Sequence, residues 1–162
     1  MINDNRQIEM KKQPFLTTDI KFLSSIQGRI LGIDYGSIRI GLALSDTNQQ
    51  IAMPFKTIFK LKELDDIVPS KDVHAFVVGL PLQTDGTEGF IAGQVRLFCQ
   101  RLIEKYDLPV LLIDERYTSK YAQEAMQGRC MRQKRQQQVL DSEAAARILQ
   151  KALNLLQNEA KY

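Results

Sequence analysis

Two apolar runs, VHAFVVGLP from Val73 to Pro81 and LPVLLID from Leu108 to Asp114, constrain the fold of this chain more than any other feature. Each has the length of a strand and is continuously apolar rather than alternating, the pattern of a strand covered on both faces. Between them, TEGFIAGQVRLFCQRLIEKY sets Ile91, Val95, Phe98, Leu102 and Tyr106 at spacings of three or four, which predicts one buried helical face. Strand, helix and strand in that order call for a sheet with helices packed on it.

The upstream sequence adds strands of a different kind. GRILGIDYGSIRIGLALSD, Gly28 to Asp46, reads as two strands, Arg29 to Asp34 and Arg39 to Ser45, joined at GSI, and QIAMPFKTI follows as a third after DTNQ. These predict a three-strand antiparallel meander. KLKELDDIVPS has Leu61, Leu64, Ile67 and Val68 at helical spacing, ended by Pro69. Downstream, a helix capped by Thr118 stops at Gly128, and a final helix runs from about Gln138 toward Asn158. The fold class is α/β: a mixed five-stranded sheet, meander plus parallel strands, flanked by helices and without internal repeats. The domain spans residues 28–162. Residues 1–27 form a partly flexible N-terminal extension in which IKFLSSI is suited to a helical turn or a short strand packed on the body.

Composition excludes several classes. No apolar run nears the roughly 18 residues of a membrane span, and the first thirty residues lack the continuous apolar core of a secretory signal. Cys99 and Cys130 have neither CxxC spacing nor a nearby histidine, so no zinc site or disulfide framework is suggested and a cytoplasmic location is expected. The net charge of +3 is compatible with a polyanionic partner.

Asp34 interrupts an apolar strand, where a desolvated carboxylate needs a partner, a proton or a metal. Two further acids adjoin core segments. Asp141 lies on the same face of the final helix as Ala145, Ile148, Ala152 and Leu156, although a place in the first turn, favoured by the helix dipole, explains it equally well. Glu115 follows LPVLLID, and strand alternation sends Asp114 and Glu115 to opposite faces, so one of the two shares a site with Asp34. For an isolated DER triplet, a solvated strand end with Arg116 as ion-pair partner is the better account. Three acids in core context would repel one another without a cation, and oxygen-only ligands suit Mg²⁺ or Mn²⁺. Paired ions of that kind support phosphodiester hydrolysis.

With GIDYGSIRIGLALSD, VVGLPLQTDGTEG, IDERYTS and DSEAAARILQ in order over about Gly28 to Leu156, the chain resembles the YqgF/RuvX family of Holliday-junction resolvases and nucleases maturing the 5′ end of pre-16S ribosomal RNA. The resemblance implies a ribonuclease H-like fold and a metal-binding, catalytic acidic triad at Asp34, Glu115 and Asp141. It also implies that Gly36 lets the backbone approach the site, that Arg39 and Arg116 neighbour it, and that GLPLQTDGTEG borders a substrate groove, although a surface ion pair accounts equally well for either arginine, and turn formation and capping for that loop. It offers no role for the N-terminal extension.

The basic stretch GRCMRQKRQQQ, read as a loop between the last two helices, holds Arg129, Arg132, Lys134 and Arg135, which with Arg39 and Arg116 are the candidate nucleic-acid contacts. A solvated basic loop accounts for the charge equally well. His74 reads as structural or exposed, and Tyr35 as packed on the neighbouring layer. The leading expectation is a metal-dependent endonuclease for structured nucleic acid, rRNA precursor or branched DNA, working as a monomer or homodimer. The alternative is a non-catalytic nucleic-acid-binding module of the same fold. A sugar-kinase-like phosphotransferase, suggested by GIDYGS, needs two such domains, and the chain has room for one.

Overall fold

The computed structural model describes residues 15–116 and 133–161, with side chains from Arg135 onward in the second segment. The six strands of one mixed sheet are β1 (Leu16–Thr17), β2 (Arg29–Tyr35), β3 (Ile40–Ser45), β4 (Ala52–Ile58), β5 (Val73–Leu80) and β6 (Val110–Asp114), in the spatial order β1-β6-β5-β2-β3-β4. β2, β3 and β4 form the antiparallel meander, while β5 runs parallel to both β2 and β6. These five are the expected ribonuclease H-like strands. The sixth, β1, comes from the N-terminal segment and extends the sheet beyond β6 in parallel, with Leu16 opposite Val110.

The helices are α1 (Leu64–Ser70), α2 (Phe90–Tyr106) and α3 (Gln133–Glu159). Strand alternation sorts the core into two layers. Leu31, Ile33, Leu42, Phe76, Val78 and Leu112 pack with Val95, Phe98 and Leu102 of α2. Ile30, Ala43, Ala75, Val77, Leu111 and Ile113 pack with Ala145, Ile148, Leu149, Ala152 and Leu153 of α3. The apolar stripe read in the last helix is thus the face laid on the sheet. In α2 the inward face is shifted: Ile91 is 58% exposed, and Ala92 and Cys99 are buried instead. Pro69 lies inside α1 rather than ending it.

The last helix differs from the sequence reading where the site is concerned. It is already helical at Gln133, so residues 133–138 of the basic stretch are helix rather than loop. The tract is rich in Gln, Lys and Arg, good helix formers that carry no apolar period to reveal them. Asp141 therefore stands more than two turns in, where the first-turn account no longer applies. The helix reading for 118–128 and the candidate residues Arg129 and Arg132 lie outside the described residues, as does the side chain of Lys134. Part of the N-terminal segment is structured: a 3₁₀ turn, Ile20–Ser25, buries Leu23 completely in the α3 layer.

The candidate acidic site

Asp34 is the last residue but one of β2, on the α3 side of the sheet, two positions beyond Gly32 and four beyond Ile30. Its cross-strand partner in β3 is Gly41, and Gly41 in turn faces Thr57 of β4. On the other flank, Gly79 of β5 faces Ile113 of β6. Three glycines at these positions remove side chains where other groups must come close. A Cβ at Gly32 would lie 2.6 Å from Cβ of Leu149, one at Gly41 would strike the backbone carbonyl of Asp141, and one at Gly79 would strike the carboxylate of Glu115. The sheet is bare under α3 and beside Asp34, and into that space Asp141 and Glu115 are brought. Gly36, assigned this role by resemblance, instead serves its own turn, where a Cβ would lie 2.6 Å from the carbonyl of Arg39.

Glu115 follows β6 and continues the alternation of Leu111 and Ile113, which places it on the α3 side. Its backbone N–H donates to the carbonyl of Leu80 at 3.0 Å, which holds the end of β6 against β5. Asp114, on the opposite face, accepts from Nε of Arg116 and from its backbone N–H, each at 2.8 Å. The pairing of Arg116 expected for a strand end is thus present, but it involves Asp114 and leaves Glu115 to the interior. Arg116 also backs the QTDGT turn, where Gly86 adopts φ 86° and Thr87 donates to Asp85.

Asp34 and Glu115 are shifted toward protonation. Asp34 is raised to about 6, first by burial and then by the charge of Asp141, with Arg147 acting in the opposite sense. Glu115 is raised to about 8 by burial and by the charges of Asp34 and Asp114, against Lys151. The acids therefore feel one another, with Asp34 as the shared neighbour. Asp141 is paired with Arg39, whose Nε donates to Oδ2 at 2.9 Å. Lys151 donates from Nζ to the carbonyl of Asp114 at 2.7 Å and so ties α3 to the end of β6.

The structure thus brings together Asp34, Glu115, Asp141 and Arg39. Arg116, next to Glu115 in the chain, is paired with Asp114, and Arg135 is exposed near the start of α3. Arg147 and Lys151 escaped the sequence reading. Their signal was position, since Arg147 adjoins Ile148 and Lys151 adjoins Ala152 at the edges of the inward stripe, from which long stems reach back over the sheet. His74 is exposed, with Nε2 2.8 Å from Asp72, and Tyr35 packs on Phe98 with ring centroids 4.6 Å apart.

As a donor set the acids fit a hard divalent cation: all are carboxylates, and two have protonation raised in part by mutual repulsion that such an ion relieves. Among the described residues no group of three or more acids, histidines or cysteines is placed so as to hold a metal ion. Asp141 is engaged by Arg39 instead.

A mixed sheet with an antiparallel meander, parallel strands and a covering C-terminal helix is an α/β fold of the ribonuclease H-like class. The model of the RuvX family, described as Holliday junction resolvase, matches residues 28–155, and the chain belongs to this family. A protein of Anaplasma marginale named as a candidate pre-16S rRNA nuclease is 42% identical over 133 residues, 78% of this chain and 85% of the relative. A protein of the same name from Orientia tsutsugamushi is 35% identical over 150 residues, 88% and 96% of the two chains. Among solved structures, RuvC of T. thermophilus in complex with a Holliday junction substrate aligns with a TM-score of 0.48 at 12% identity, over 78% of this chain and 94% of that one.

Proposed function

We propose that the protein is a divalent-metal-dependent endonuclease that hydrolyses phosphodiester bonds in structured RNA, with pre-16S rRNA as its substrate in the cytoplasm. The observation that carries the reading is the convergence of Asp34, Glu115 and Asp141 on the glycine-lined face beneath α3. The name shared by the Anaplasma and Orientia relatives favours the RNA precursor over a DNA junction.

Asp34, Glu115 and Asp141 would hold Mg²⁺ or Mn²⁺, which when bound supplies Lewis-acid polarisation of the scissile phosphate and an acidified water. Asp34 links the other two acids electrostatically: the charge of Asp141 acts on it, and its own acts on Glu115. α3 closes one side of the site against water through Ala145, Ile148 and Leu149. Arg39 at the rim, Arg116 beside Glu115 in the chain, and Arg135, Lys134, Arg132 and Arg129 along the basic stretch would meet phosphates on either side of the cut.

Replacing Asp34 by Asn keeps the shape and removes the shared charge. Cleavage of a pre-16S 5′ fragment and of a four-way DNA junction should fall by at least about a hundredfold with Mg²⁺, while binding persists. Undiminished cleavage by the variant refutes the assignment. Binding without cleavage by the unaltered protein on both substrates identifies a binding module instead.

A further inference from the structure

We propose that Arg39 is an exchangeable counter-ion for Asp141, holding this carboxylate while the site lacks a divalent cation and yielding it to the cation, whereupon the guanidinium turns to a substrate phosphate. The inference rests on the reading of the acids as a cation site. It is carried by an ion pair between residues 102 positions apart, Arg39 Nε to Asp141 Oδ2 at 2.9 Å, with side-chain exposures of 34% and 18%.

The position of the pair makes the exchange physically reasonable. Arg39 immediately precedes β3 in the turn from β2, and Asp141 lies on α3 directly over Gly41, the cross-strand partner of Asp34. Asp141 can therefore serve the acid cluster or the guanidinium. A half-buried carboxylate stripped of its partner is unfavourable, so the pair persists until another cation replaces Arg39. A guanidinium cannot surrender its charge by deprotonation, so release leaves a full positive charge at the rim of the site. Its planar fork suits a phosphate, and its one-third exposure allows it to move without opening the core. Cation binding would then free a guanidinium for phosphate beside the acids.

The test uses the full-length protein with Mn²⁺ alone, followed by calorimetry, and with a phosphorothioate-substituted RNA hairpin. Arg39→Gln should bind Mn²⁺ about fivefold tighter than the unaltered protein, because no resident charge has to be displaced. Arg39→Lys, which keeps the charge, should stay near the unaltered value and so separates charge competition from lost packing. For the unaltered protein, the slope of log affinity for the hairpin against log salt should steepen by about one unit in Mn²⁺ relative to EDTA, more than in Arg39→Gln. Mn²⁺ affinity that is unchanged or weaker in a folded Arg39→Gln overturns the exchange while leaving the metal-site reading intact. Absence of Mn²⁺ binding by both proteins overturns both.

Discussion

At the scale of single residues, Asp34 and Glu115 make opposite demands on fold and function. Both bind protons more readily in the folded chain than their ordinary carboxylate values allow, at about 6 and about 8. Between those ordinary values and the raised ones the native state holds more protons than the unfolded state, so by linkage their contribution to stability falls as pH rises. In EDTA, Glu115→Gln should melt several degrees above the unaltered protein at pH 8, at roughly 2–4 °C per kcal/mol for a domain this size, and the two should converge near pH 4. Saturating Mg²⁺ should stabilise the unaltered protein at pH 8 and leave the variant almost unmoved. Equal melting temperatures at pH 8 in EDTA refute the raised protonation of Glu115. Asp34 was legible in the sequence because an acid in an apolar strand raises a question that only partners answer. Arg147, which acts on Asp34, and Arg39, which pairs with Asp141 across 102 positions, were less so.

At the scale of elements, glycines decide how near α3 comes to the sheet. Gly41→Ala would drive a methyl against the Asp141 carbonyl, which is helix backbone and cannot yield alone, so a stability loss of about 1–3 kcal/mol is expected together with loss of activity. Gly79→Ala meets the end of the Glu115 side chain, which can rotate away. Its melting temperature should change less than that of Gly41→Ala, while cleavage falls by at least about tenfold because the displaced carboxylate can no longer serve the site. Thermal melts and single-turnover cleavage of the two variants in parallel separate packing from chemistry, and wild-type activity in Gly79→Ala removes Glu115 from the site. The strands, the meander and the buried face of α3 were legible because hydrophobic period reports burial directly. The start of α3 was not, because QKRQQQ has helix-forming residues without an apolar face, and Ile91 was misplaced because it sits in the first turn of α2, where one side is solvent. Gly32, Gly41 and Gly79 did carry a signal, being glycines inside apolar strands, but which group each admits depends on a helix far along the chain.

At the scale of the whole molecule, residues 15–27 belong to the stability of the sheet and stand apart from the acids. β1 pairs along β6, with Val110 N–H donating to the carbonyl of Phe15 at 3.0 Å, and covers an edge that would otherwise offer unpaired backbone groups. The opposite edge, β4, bears Pro54 and the exposed Lys56, which discourage pairing without a cover. Leu23 fills the α3 layer, and Lys21 lies 3.9 Å from Glu159 at the far end of that helix. Asp141 is 18 residues earlier, about 27 Å away along the helix axis. A chain beginning at Gly28 should therefore lose at least the about 2–5 kcal/mol expected for emptying the Leu23 site, a drop of roughly 5–15 °C in Tm. It should also associate through the bared edge of β6, visible as concentration-dependent light scattering. Leu23→Ala should reproduce most of the Tm loss without the association, because β1 remains in place. Below the lowered Tm both forms should cleave at the unaltered rate per folded molecule, since neither change reaches Gly41, Gly79 or the carboxylates around Asp34. A truncated chain that stays folded, monomeric and inactive contradicts this separation and places the N-terminal segment in the catalytic machinery.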